Sequence, residues 1–242
     1  MAGGAAETGA MTDLGTPTAL IVGASRGLGH AIAAELLARE WEVIGTVRDR
    51  AARTPLHDLA DRSAGRLRIE PLDINEPAQL TALHERLANR RLDLLFVNAG
   101  TTNNQETPIG AVPTADFVDV MVTNALSPMR VVEALDDLVP STGLIGAMSS
   151  GQGSITHNTS GSREVYRGSK AALNMFMRGY AARRSDRALV LIAPGWIRTG
   201  LGGSEAPFTI EETVPQIVDV LLSALGKPGL QYLDRFGNTV PW

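Results

Sequence analysis

Short, continuous apolar runs alternate along the chain with longer stretches whose apolar residues recur every three or four positions. Residues 18–22, 42–47, 66–72, 93–97, 143–148 and 188–193 read as strands, with a shorter one at 230–233. Between them, residues 28–40, 77–90, 114–138, 164–184 and 210–225 have helical periodicity, and 54–62 forms a weaker helix. A strand that is apolar at every position is covered on both faces, and strands separated by helices pair in parallel. The pattern therefore predicts an α/β fold: a doubly wound parallel sheet of about seven strands with helices on both faces. In such a sheet ligands gather at the carboxyl ends of the strands. No repeat, charge block or composition shift divides residues 18–242, which are expected to form one domain. Residues 1–17, rich in Ala, Gly and Thr, are expected to be a disordered tail; they lack the basic start and apolar centre of a signal peptide.

Composition narrows the function classes. At 242 residues, 44% hydrophobic and 20% charged, the chain suits one large globular domain. A net charge of −4 argues against nucleic acid or an acidic membrane as partner. No apolar run approaches the roughly 20 residues of a membrane helix. With no cysteine and with His30, His57, His84 and His157 scattered, no metal-ligand spacing is present. A cytoplasmic protein is the default expectation.

Two local patterns carry chemistry. Gly23-Ala24-Ser25-Arg26-Gly27-Leu28-Gly29 follows the first strand and opens the first helix. Glycines there let backbone approach a pyrophosphate, and the helix N-terminus presents free N–H groups. The second strand ends at Val47-Arg48, where an acidic residue would bind the ribose hydroxyl of NAD. Arg26 and Arg48 instead suit a 2′-phosphate, which takes planar, charge-assisted donors. NADP(H) is therefore expected over NAD(H), with Asp49 the counter-reading if the strand runs one residue further. The second pattern is Tyr166-Arg-Gly-Ser-Lys170. Tyr166 and Lys170 lie one helical turn apart on one face, where an ammonium would lower the phenol pKa from its usual ~10 toward a working acid/base.

With these residues in place the chain resembles the short-chain dehydrogenase/reductase family from Thr18 to the C-terminus. The matches are Gly23, Gly27, Gly29, Asp73, Asn98-Ala99-Gly100, Asn124, Ser149-Ser150, Tyr166 with Lys170, and Pro194-Gly195. The stretches 153–166 and 232–242 look most like the bacterial C-factor-like subgroup. The resemblance implies a Rossmann fold and a catalytic set of Asn124, Ser150, Tyr166 and Lys170. Tyr166 would exchange a proton with the substrate oxygen, and Lys170 would lower its pKa and hydrogen-bond the nicotinamide ribose. Ser150 would hold the substrate oxygen, and Asn124 would position a water leading to solvent. The implied cofactor contacts are Gly23, Ser25, Arg26, Gly27, Leu28, Gly29, Arg48, Asp73, Ile74, Asn98, Ala99, Gly100, Tyr166, Lys170, Pro194, Gly195, Ile197 and Thr199. Taken without the family, Asp73 could cap a helix at 75–77 and Asn124 could cap or bend its own helix.

The chain departs from the family pattern in three places. Val22 and Val97 stand where the family usually has Thr and Asn. Valine cannot hydrogen-bond through its side chain, so a bond tying the first turn to the fourth strand is expected to be missing. The family's serine usually lies thirteen residues before the tyrosine, where this chain has Gly153; Ser150 precedes Tyr166 by sixteen. Ser150 at the strand end is the expected catalytic serine, Ser149 should point the opposite way, and Ser154 is the outside candidate. The substrate region is expected over 151–163, Trp196 and 201–208, with Gln152, Ser154, His157, Asn158 and Trp196 as its polar and aromatic surface and with only a small lid. The expected activity is hydride transfer between NADP(H) and a small or medium carbonyl or alcohol. A dinucleotide-binding signalling protein of C-factor type is the alternative. Family resemblance also implies a homodimer or homotetramer through the helices at 114–138 and 164–184.

Overall fold

The computed structural model describes residues 15–49, 51–103 and 106–242; most of the expected tail, residues 1–14, lies outside the described residues. Seven strands form one sheet: β1 (Thr18–Val22), β2 (Glu42–Val47), β3 (Leu67–Pro71), β4 (Leu94–Val97), β5 (Leu144–Met148), β6 (Ala188–Ala193) and β7 (Gly229–Asp234). Their order is β3-β2-β1-β4-β5-β6-β7, and every neighbouring pair is parallel. The helices are α1 (Gly27–Ala38), α2 (Pro55–Asp61), α3 (Pro77–Leu87), α4 (Thr114–Met121), α5 (Ser127–Leu135), α6 (Glu164–Arg183) and α7 (Ile210–Ala224).

Alternation within each strand divides the core in two. Leu20, Val22, Leu95, Val97, Leu189 and Leu191 face the layer of α3, α5 and α6. Ala19, Ile21, Leu94, Phe96, Val190 and Ile192 face α1, α2 and α7. Strands buried on both sides must be apolar throughout, which is the continuous pattern of the sequence. The order reverses between β1 and β4, and a crevice opens there beyond the strand ends.

One expected element differs. Residues 114–138 are not a single helix: α4 passes through a π-helical segment, Val122–Leu126, into α5 and then a 3₁₀ turn, Asp136–Leu138. Pro128 has no N–H for the carbonyl of Asn124, four residues back, and its ring crowds that carbonyl. The ladder widens there, and the Ser127 amide donates to the Val122 carbonyl. The widened turn lies at Asn124.

Candidate active site

The turn after β1 is tied on both sides. The Gly23 amide donates to Thr46 Oγ1 at 2.8 Å, and the Ala24 amide to the Thr46 carbonyl at 3.0 Å. From the other side Asn98 Nδ2 donates to the Gly23 carbonyl at 2.9 Å, while the Asn98 and Ala99 amides both donate to the Val22 carbonyl. The tie expected to be missing is therefore present. Asn98 reaches across to the turn itself, and Thr46, a residue the motif reading passed over, takes the first free amide. A hydroxyl inside an otherwise apolar strand was the available signal.

Helix α1 sits hard against this turn. A Cβ at Gly29 would lie 2.1 Å from the Gly23 carbonyl oxygen, so no side chain fits there. The first amides of α1 have no intrahelical partner, and its N-cap residue, Arg26, supplies no side-chain acceptor. Above Gly27 there is open space, with no atom within 4 Å of where a Cβ would stand. A bare cradle of amides at a helix N-terminus, with Ser25, Arg26 and Leu28 around it, fits a dinucleotide pyrophosphate.

Arg26 and Arg48 are both exposed at this end of the sheet, and among the described residues neither forms an ion pair. Asp49 turns back on its own loop, its Oδ1 accepting the Ala51 amide at 2.8 Å. Asp73 Oδ1 accepts the Asn75 amide at 2.9 Å, while Glu76 is the N-cap of α3. Asp73 therefore shapes the turn ahead of the helix and does not cap it. Ile74 is buried beside it. Asn75 in turn bonds Thr123 and Ser127, linking this loop to the π-segment.

Helix α6 brings Tyr166, Lys170 and Asn174 onto one face, four residues apart, against the end of β5. The Ser150 side chain lies close enough to the Tyr166 phenol to pull its pKa down. Ser150 Oγ also accepts the Gln152 amide at 3.1 Å, capping the 3₁₀ turn Gly151–Gly153. Ser149 points to the opposite side and donates to Asn174 Oδ1 at 2.6 Å in the interior. Ser154 is buried as well, bonded to the Trp242 carbonyl oxygen and to the His157 amide. Gly153 packs so closely on α6 that a Cβ there would meet the Lys170 backbone at 3.0 Å. A serine at that position would need α6 to give by a few tenths of an ångström, and the hydroxyl beside Tyr166 comes instead from the strand end. His157 is exposed on the loop.

Lys170 is buried and donates from Nζ to the Met148 carbonyl at 2.8 Å; burial lowers its pKa to about 8. Its Nζ lies 5.9 Å from the Tyr166 ring centroid. The phenol pKa is raised by burial, against which the Ser150 side chain and the Arg163 charge pull down. In the protein alone desolvation outweighs charge at the phenol, and the cation whose charge acts against it is Arg163. Asn124 is fully buried, with Oδ1 accepting the Thr101 amide and Nδ2 donating to the Thr101 carbonyl and Ser169 Oγ. Its side chain is committed to the loop after β4, and Oδ1 approaches the same side of Gly100 as Lys170 Nζ. Thr101 and Ser169 hold this arrangement and were not singled out from sequence. Ser169, a polar residue on the buried face of α6, carried the signal.

Beyond β6, Pro194 and Gly195 turn the chain outward, and Arg235 Nη1 donates to the Pro194 carbonyl. Ile197 is buried and bridges to Phe208, while Thr199 Oγ1 accepts the Gly202 amide at 3.0 Å. Trp196 Nε1 donates to the Gly202 carbonyl at 2.7 Å, holding its half-exposed indole against its own loop. The segment 196–209 is a small flap pinned to its own backbone.

Comparison with known proteins agrees with this layout. A short chain dehydrogenase family model matches residues 17–208. Among solved structures, a Burkholderia multivorans protein described as a short-chain dehydrogenase/reductase with bound NADP is 63% identical, with a TM-score of 0.93 over 94% of this chain and 100% of that one. A carbonyl reductase from Pseudomonas aeruginosa PAO1 in complex with NADP is 32% identical, with a TM-score of 0.87 over 94% of this chain and all of that one. The C-signal of Myxococcus xanthus is 32% identical over 155 residues, 62% of this chain and 93% of that protein. The chain belongs to the short-chain dehydrogenase family and is an oxidoreductase built on a Rossmann sheet.

Proposed function

We propose that the protein is a carbonyl reductase, moving hydride between NADP(H) and a small or medium carbonyl or alcohol, with reduction as its working direction. The gathering of Ser150, Tyr166 and the buried Lys170 at the end of β5, with Lys170 Nζ 5.9 Å from the Tyr166 ring centroid, carries this reading. When bound, NADPH supplies the hydride. Ser150 holds the carbonyl oxygen and offsets its developing negative charge. Tyr166, kept protonated by burial, delivers the proton to that oxygen. Lys170, titrating near pH 8, restores the proton, and Asn124 holds the loop beside it. Arg26 and Arg48 would hold the 2′-phosphate and so favour NADP(H) over NAD(H). The backbone of 194–199 takes the carboxamide end, with Asp73 and Ile74 toward the adenine.

We extend the reading to a cytoplasmic homodimer or homotetramer. The outer faces of α4 and α6 expose Phe117, Val118, Met175 and Phe176, and among the described residues no helix is long and apolar enough to cross a membrane. The likeness to C-signal favours a second reading, a dinucleotide-binding signalling protein with little turnover. Nicotinamide absorbance with aldehydes, ketones and diketones separates the two. Tyr166→Phe is expected to lower turnover by about 10²-fold or more while leaving NADPH binding within a few-fold; undiminished turnover in that variant refutes the proposed chemistry.

A further inference from the structure

Several arginines crowd the substrate side, and nearly all are spent on the protein itself. Arg167 donates to the Ser162 carbonyl and Ser160 Oγ. Arg198 donates to the Ala206 and Pro207 carbonyls. Arg235 donates to the Pro194 carbonyl between the rings of Phe208 and Phe236. Arg163 differs from all three. Among the described residues it forms no ion pair and its side chain donates no hydrogen bond; its guanidinium lies over the indole of Trp196, 5.7 Å from the ring centroid.

Its position is also costly. Arg163 is the N-cap of α6 with φ 59° and ψ 40°, a left-handed backbone that favours glycine or asparagine. An arginine there, with no acceptor of its own, is open to a partner outside the chain. It borders a hollow of about 240 Å³ between the start of α6 and residues 106–108, and its charge reaches the Tyr166 phenol three residues on. Glu164 also borders the hollow, but its Oε2 is engaged by the Ile109 amide at 2.7 Å; Glu106 completes the acidic groups there.

We infer that Arg163, braced on Trp196, receives a carboxylate of the substrate, so that the preferred substrates are carbonyl compounds that also carry an acid group. The inference rests on the reductase reading for the carbonyl, while the charge recognition belongs to Arg163 alone. A planar guanidinium pairs a carboxylate through two parallel hydrogen bonds, and stacking on an indole holds the fork in place. Trp196, fixed by its bond to Gly202, supplies a flat apolar wall for the carbon skeleton between the two groups.

The test uses 4-formylbenzoate and its neutral methyl ester, titrated calorimetrically into the NADP⁺-loaded protein so that no reduction occurs. Wild type is expected to bind the acid about tenfold more tightly than the ester, an advantage that falls as salt is raised. Arg163→Gln should lose about that tenfold on the acid and leave the ester within twofold, and Arg163→Lys should recover part of it. Unaltered NADPH binding in both variants shows that the fold is intact. Equal binding of acid and ester by wild type, binding of neither, or an acid preference that survives in Arg163→Gln overturns the inference. NADPH oxidation is measured separately on the same pair. Charge discrimination in binding with no oxidation of NADPH would remove the reductase reading and leave the role of Arg163 standing.

Discussion

Replacing Lys170 by methionine tests how the site stores its proton. Lys170 is 3% exposed, and burial alone brings its pKa from 10.5 to about 8. At neutral pH the ammonium is therefore kept in the interior at a cost of about 3 kcal/mol relative to the unfolded chain, at 1.36 kcal/mol per pH unit. The sign follows from proton binding. Below pH 8 both folded and unfolded chains carry the proton, and the penalty is complete. Between pH 8 and 10.5 the unfolded chain keeps its proton while the folded one releases it, so stability rises with pH and the penalty disappears. Lys170→Met removes this titration. It also leaves the Met148 carbonyl without its 2.8 Å donor, a pH-independent loss of about 1–3 kcal/mol that blurs any comparison at a single pH. The difference between the two proteins is the robust quantity. From pH 7 to pH 10.5 wild type should gain about 3 kcal/mol relative to Lys170→Met, which for a chain of this size is a relative Tm shift of about 6–12 °C. Urea or thermal unfolding of both cofactor-free proteins at pH 7, 8.5 and 10 measures it, since the other titrating groups are common to both. A difference that stays constant across that range would refute the buried, depressed ammonium.

Two further outcomes bear on the site. Arg48→Ala is expected to weaken NADPH binding by about 10–100-fold, the worth of a charge-assisted bond to phosphate, and NADH binding far less; equal losses in fluorescence titrations would sink the 2′-phosphate assignment. Ser150→Ala should lower kcat by about 10²-fold, the usual effect of losing one donor to a developing oxyanion, whereas Ser154→Ala should leave the chemical step nearly unchanged and lower stability through its lost bond to Trp242. The reverse order in single-turnover rates would move the catalytic role to Ser154.

Much of this site was legible in residue order. The glycine turn, Asn98, and the four-residue step from Tyr166 to Lys170 are local patterns, and local geometry decides what each presents. The serine was harder. Counting back from Tyr166 lands on Gly153, and only the contact of Gly153 with the Lys170 backbone shows how little room a side chain has there. Thr46 and Ser169 escaped notice because each matters through one partner distant in the chain: the Gly23 amide for Thr46 and the Asn124 amide for Ser169. The break at Asn124 was foreshadowed by Pro128, yet apolar periodicity continued through it and concealed the widened turn.

By itself the sequence determined the seven apolar strands, the helices between them, the parallel sheet and the phosphate-binding turn. These follow from burial on both faces and from backbone freedom at a few glycines, which are properties of short segments. Tertiary structure decided which hydroxyl lies beside the phenol, where the lysine ammonium rests, and that Arg163 sits over Trp196 without an acceptor. It also raised the pKa of Tyr166 in the protein alone, through burial. Lys170 is its neighbour on the helix, but desolvation depends on everything packed around the ring, and that sum exists only once α6, the end of β5 and the loop after it have come together.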